Sequence, residues 1–216
     1  MTVVACEGDN RTFKTGSEAV FGWLYYLNNN SIDDIIDGKA MPGKVYCTCK
    51  LTPNGSFEHT FNFPHEDVLF TDLAEMDLSY CCVITDELDS LADSRMPWDK
   101  RIINVGNWNF QVKKSNVTWL WTAVVHDTID KRIRRNPDFI IENHRVPKDY
   151  NKPLQGVIWK VWNRHGGDSP PKIIHVHKPW LWFPLWNSEQ KIPHLFNQPK
   201  SISIQDEKRL YQELVH

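Results

Sequence analysis

The stretch that most limits what this chain can become runs from Thr2 to Leu27, TVVACEGDNRTFKTGSEAVFGWLYYL. Thr2–Cys6 is a short continuous apolar run, the pattern of a strand buried on both faces of a parallel sheet. From Thr15 to Leu27, the residues Ala19, Val20, Trp23, Leu24 and Leu27 recur at three- and four-residue spacing, which predicts an amphipathic helix ended by Asn28–Asn30. Between strand and helix lies GDNRTFKT, residues 8–15. Gly8, Lys14 and Thr15 are in register with the pattern G-x-x-x-x-G-K-[ST]. In that pattern the loop amides and a helix N-terminus cradle phosphate, the lysine reaches the β- and γ-phosphates, and the hydroxyl binds Mg2+.

Phe13 stands where the second glycine belongs. If that backbone position needs a positive φ, a bulky side chain there costs about 1–2 kcal/mol. Asp9, Asn10, Arg11 and Thr12 complete the loop; Arg11 and Thr12 replace smaller residues, and Arg11 adds positive charge. Taken alone, the segment is equally a phosphate loop or a turn with a lysine at a helix start.

A second segment adds weight to the first. Tyr80–Thr85 (YCCVIT) is the clearest buried strand, and Asp86-Glu87 follows at its carboxyl end. In nucleotide-hydrolysing sites the first such acid orients Mg2+ through water and the second polarises the attacking water. The bland alternative is a strand end carrying two solvated acids.

The remaining pattern alternates strand and helix. Lys44–Leu51 and Phe57–Phe63 flank Pro53-Asn54-Gly55 and are expected to form a hairpin. Leu88 to about Ser115 reads as mostly helical with a break at Pro97. Val117–Thr122 reads as a strand, Asp127–Arg135 as a short basic helix stopped by Pro137, and Asp138–Glu142 as another strand. The expected fold is a three-layer α/β arrangement with a mainly parallel central sheet. Composition shifts near Val146 to a proline-rich tail holding five of the ten tryptophans, with two more candidate strands, Gln155–Asn163 and Lys172–His177. Residues 1–145 are expected to form the core, with 146–216 as an extension packed on it within a single domain.

The chain of 216 residues has a formal net charge of −2, so nucleic-acid contact would have to come from a local patch. It contains no run of 18 apolar residues, and no membrane span is expected. The five cysteines lack zinc-finger spacing and read as reduced, buried thiols of a cytosolic setting. His175 and His177 lie on one face of a candidate strand without supporting ligands, so a structural role is the stronger reading. The run Trp180-Leu-Trp182-Phe-Pro-Leu-Trp186 reads as core packing, or more sharply as a docking surface.

A third set of segments resembles a family. DELDSLADSR, QVKKSNVTWLWTA and DKRIRRNPDFII, in that order, resemble the HerA/FtsK-type packaging ATPases of viruses, especially the small ATPases of tailless icosahedral viruses. The matching elements are Asp93-Ser94-Arg95, Asn116–Ala123, and Asp130 with Arg132 and Arg134, all within residues 2–145. The resemblance implies an additional-strand P-loop NTPase with a catalytic glutamate, assembled as an oligomeric ring with sites at subunit interfaces. Carried over, Gly8–Thr15 would bind ATP, Thr15 and Asp86 would serve Mg2+, and Glu87 would activate water. Arg132 and Arg134, with Arg95 behind them, would stabilise transferred charge from a neighbouring subunit. The implied partners are double-stranded DNA held through phosphates and a capsid or vertex protein, in the cytoplasm of an infected cell or on the virion.

Two departures leave an alternative open. Phe13 is one. The other is Val124, where the family places a polar sensor; Thr122 or His126 is the available substitute. The alternative is a catalytically weak or inactive P-loop-fold assembly protein. A membrane-anchored morphogenesis ATPase of filamentous viruses is a further rival, set back by the lack of an apolar span.

Overall fold

The structure is a computed structural model that describes residues 2–9, 12–29, 43–48, 59–61, 63–112, 114–179, 181–182 and 186–188. Its frame is an eight-stranded sheet in the order β4-β2-β5-β6-β1-β7-β8-β9. The strands are β1 (Thr2–Glu7), β2 (Val45–Thr48), β4 (Glu66–Asp67), β5 (Cys82–Thr85), β6 (Thr118–Ala123), β7 (Phe139–Val146), β8 (Gly156–Asn163) and β9 (Lys172–His177). From β4 through β7 all pairings are parallel; β7, β8 and β9 pair antiparallel.

Two helical layers cover the sheet because its strands are apolar on both faces. Helix α1 (Lys14–Asn29) places Ala19 against Val45, Cys82, Ile84 and Leu120 on one face. On the other face, α3 (Lys100–Val112) brings Ile102, Val105 and Val112 against Val3, Val83, Trp119 and Trp121. The alternation along β6 explains the division: Trp119 and Trp121 point to the α3 side and Leu120 to the α1 side.

Strand β6 lies between β1 and β5, so the strand that precedes residues 8–15 and the acid-bearing strand are separated by one intervening strand. All three end at the same sheet edge, since Glu7 pairs with Ala123 and Thr85 with Trp121 in parallel register. Ligand sites of open parallel sheets occupy that carboxyl edge.

Several local expectations need correction. Residues 44–63 do not form a hairpin: β2 enters the parallel sheet beside β5, and β3 (His59–Phe61) pairs instead with β10 (Trp186–Ser188). The Pro53-Asn54-Gly55 turn lies outside the described residues. Burial decided the outcome for β2, whose four residues are all buried and suit a central strand better than a hairpin arm. The helical stretch after Leu88 is two pieces, α2 (Leu88–Leu91) and α3, separated by turns around Asp93 and Asp99. The basic helix shrinks to α4 (Lys131–Arg134). Strand β7 runs to Val146, further than Glu142, because β8 pairs along its whole length. The two candidate strands after Val146 are present as β8 and β9.

Among the described residues Cys6, Cys47, Cys81 and Cys82 are buried thiols outside any disulfide. His175 and His177 stack with ring centroids 6.3 Å apart on edge strand β9, and no cluster of three metal-ligating side chains occurs among the described residues. Trp182 packs against the cluster that holds Val157 and Trp159.

Candidate nucleotide site

The loop after β1 departs from ordinary backbone at both of its ends. Gly8 has φ +145°, and a Cβ there would lie 2.7 Å from both the Asn143 carbonyl oxygen and Thr12 Oγ1. Only glycine fits. Phe13 has φ 75°, so the backbone adopts the left-handed form at the position where the pattern carries its second glycine. The side chain that replaces that glycine turns inward. Phe13 packs with Cys6, Val20, Ile141, Val157 and Trp159 on the α1 side of the sheet. Room for its ring comes from Gly16, where a Cβ would sit 2.5 Å from the Phe13 ring. The glycine missing at residue 13 is matched by one three residues later, a relation the sequence pattern alone did not reveal.

Lys14 opens α1 and is buried. Its Nζ donates to the Gly8 carbonyl at 2.8 Å and the Asp9 carbonyl at 2.9 Å, folding over the loop mouth. Burial lowers its pKa, and the nearby charges of Asp86, Asp89, Glu87 and Asp9 pull it back up. Thr12 Oγ1 donates to the Asp9 carbonyl at 2.7 Å. Ser17 Oγ donates to Asn143 Oδ1 at 2.6 Å, while Asn143 Nδ2 donates to the Glu7 carbonyl at 3.2 Å, tying β7 to both ends of the loop. Asn143 and Ser17 carry no signal in the phosphate-loop pattern; the register of β7 against β1 places Asn143, and α1 carries Ser17 to it. Asn10 and Arg11 lie outside the described residues.

Across the edge, Thr15 Oγ1 lies 3.2 and 3.1 Å from the two carboxylate oxygens of Asp86. A hydroxyl and a carboxylate at that separation offer hard oxygen donors of the kind Mg2+ takes. Thr122, at the end of β6, donates its hydroxyl to Asp86 Oδ1 and accepts the Glu87 amide at 2.8 Å. It therefore fixes both acids from the intervening strand. Glu87 has φ 52° and caps α2, a strained backbone of the sort found at working sites.

Val124 engages through its backbone: its amide faces Asp89 Oδ2 at 3.3 Å. His126 pairs through Nδ1 with Glu7 Oε1 and stacks on Trp121 at 6.1 Å. Glu18, on α1, is fully buried, and among the described residues neither carboxylate oxygen has a hydrogen-bond partner. Burial, and to a lesser degree the neighbouring charge of Asp86, push its pKa well up.

The three arginines each pair with an aspartate outside that edge cluster. Arg95 clamps Asp93, with Nη2 to Oδ2 at 2.6 Å. Arg132 clamps Asp130 through two bonds of 2.8 Å and also donates to the Pro97 carbonyl at 3.1 Å. Arg134 pairs with Asp127. The hydrogen bonds lower the pKa values of Asp93 and Asp130. The segments are stitched together by the Ser94 amide, which donates to the Thr128 carbonyl at 2.7 Å. Thus Gly8, Asp9, Thr12, Phe13, Lys14, Thr15, Asp86 and Glu87 share one sheet edge, while Arg95, Arg132 and Arg134 are paired within the same chain to Asp93, Asp130 and Asp127.

The fold is the three-layer α/β arrangement of the additional-strand P-loop NTPases, with one strand inserted between the strand that precedes residues 8–15 and the strand that ends at Asp86-Glu87. No protein-family model matches the chain, and no curated protein matches it in sequence. Among solved structures it is similar to the N-terminal domain of zonular occludens toxin from Neisseria meningitidis. That likeness has a TM-score of 0.54 and 11% identity, over 86% of this chain and 98% of that one. It is also similar to the genome packaging NTPase of Sulfolobus turreted icosahedral virus 2 in complex with ATP-gammaS, at 13% identity and a TM-score of 0.46, over 82% and 97%. At 11% identity the likeness to the toxin domain is one of fold alone. No helix among the described residues is long and apolar enough to cross a membrane.

Proposed function

We propose that the chain is a Mg2+-dependent ATPase of the DNA-packaging kind. The observation that carries the reading is the approach of Thr15 to Asp86 at 3.1 Å beside Lys14 at the start of α1. Four acids, Asp9, Asp86, Glu87 and Asp89, act on Lys14. A triphosphate entering so acidic a site needs a divalent cation to offset repulsion, and Thr15 and Asp86 are the residues that would hold it.

In this reading Lys14 leaves the Gly8 and Asp9 carbonyls for the phosphates, and the amides of residues 12–15 turn toward them. Glu87, its backbone fixed by Thr122, accepts the proton of the attacking water. Arg95, Arg132 or Arg134 of a neighbouring copy in a ring would stabilise the charge that develops. DNA would be held through phosphates by the basic segments, and a capsid or vertex protein would dock the ring, in an infected cell or on the virion. Replacing Glu87 with Gln tests the assignment. ATP binding should persist while turnover falls by about two orders of magnitude or more; unchanged turnover would refute Glu87 as the base.

One observation favours a second reading. Lys14 already satisfies itself on two loop carbonyls, and Phe13 fills the space beneath the loop. An assembly protein that keeps the fold without turnover would show that arrangement permanently. Titration calorimetry with ATP and Mg2+ separates the two, since no heat at millimolar nucleotide supports the second.

A further inference from the structure

Strand β7 lies directly beside β1, with Glu7 opposite Glu142, so the segment leaving β7 emerges next to the phosphate loop. Residues 147–155 return from there to β8 and are closed by the Gln155 amide, which donates to the Val146 carbonyl at 2.8 Å. A buried cation fixes this turn. Arg145 is 4% exposed and donates Nη1 to the Asp149 carbonyl at 2.9 Å and Nη2 to the Lys152 carbonyl. Its guanidinium also sits 5.3 Å from the centre of the Tyr150 ring. It has no carboxylate partner among the described residues, an uncommon state for a buried charge.

Tyr150, by contrast, is 39% exposed, and its hydroxyl lies 3.5 Å from Asp9 Oδ2 in the phosphate loop. The result is an aromatic ring backed by a cation and set against the second residue of the loop that would take phosphates. An aromatic with an accessible surface suits a flat π-system, because stacking needs no matching hydrogen-bond pattern. A base joined to its phosphates through one sugar requires a platform adjacent to the phosphate loop, which is where this ring stands.

We propose that Tyr150, positioned by Arg145, is the nucleobase-stacking platform of this site, taking the purine of a nucleoside triphosphate. The inference rests on the phosphate-loop reading above, and the test separates the two. Binding of ATP, GTP and inorganic tripolyphosphate, each with Mg2+, is measured by calorimetry for the wild type, Tyr150→Ala and Tyr150→Phe, with thermal melts to show that all three are folded. Tyr150→Ala should weaken ATP roughly tenfold and leave tripolyphosphate within about twofold. Tyr150→Phe should retain ATP affinity. GTP weakened alongside ATP supports general purine stacking; GTP that never binds supports a platform confined to adenine. Equal effects of Tyr150→Ala on ATP and tripolyphosphate, or no effect on either, overturn the platform while leaving the phosphate site standing. A wild type that binds neither ligand overturns the phosphate site and the platform with it.

Discussion

Phe13 shows how a single residue can break a sequence pattern without breaking the structure beneath it. The backbone keeps the positive φ that a glycine would adopt there, and the phenyl ring becomes core. The two effects oppose each other: strain of about 1–2 kcal/mol against burial of an aromatic side chain that costs about 3–5 kcal/mol to remove. Burial wins, so Phe13→Gly should lower stability by about 2 kcal/mol or more in urea unfolding. Restoring the pattern would thus weaken the fold. Glu18 makes a second prediction at this scale. Its folded pKa is raised, chiefly by burial. The native state therefore keeps a proton that the unfolded chain loses above its ordinary value of about 4.3. The stability that proton confers is complete below that value and is lost as pH rises through it toward the folded pKa. Glu18→Gln should accordingly raise the melting temperature at neutral pH, with the gain shrinking as pH falls toward 4.

At the scale of elements, the loop and the start of α1 act as one unit. Gly16 makes room for Phe13, so Gly16→Ala should cost about 1–3 kcal/mol by overpacking. Its melting temperature reads this directly. Strand β6 has a comparable role between the two acid-bearing edges. Thr122→Val removes the hydroxyl that orients Asp86 and Glu87. Turnover should fall further than ATP affinity, which a kcat-against-KM comparison measures. The strand–loop–helix of residues 2–27 was legible because its apolar spacing and its lysine–threonine pair are local. The acid strand was legible because Tyr80–Thr85 has no polar interruption before Thr85. The hairpin reading of residues 44–63 failed because a turn sequence cannot report which strand its flanks will pair with. Here β2 and β3 each found partners far along the chain.

At the scale of the whole molecule, strand order does the work that sequence order conceals. Residues 6, 86 and 122 are far apart in the chain, yet β6 between β1 and β5 brings Asp86, Thr122 and the loop to one edge. Asn143, Tyr150 and Arg145 reach that edge only because β7 lies on the other side of β1, and no local pattern announces them. The arginines show the converse. The resemblance proposes them for charge stabilisation, and in the single chain they pair with Asp93, Asp127 and Asp130. If a second copy completes the site, specific activity should rise with protein concentration, and Arg132→Ala mixed with Glu87→Gln should recover turnover that neither variant has alone. The central claim is that phosphate seats on this loop, and its most direct measurement is a structure of the protein with Mg2+ and a non-hydrolysable ATP analogue. The predicted result is phosphate oxygens on the amides of residues 12–15, Lys14 Nζ moved from the Gly8 and Asp9 carbonyls onto them, and the cation between Thr15 and Asp86. A nucleotide bound elsewhere, with Lys14 still closed over those two carbonyls, would contradict it.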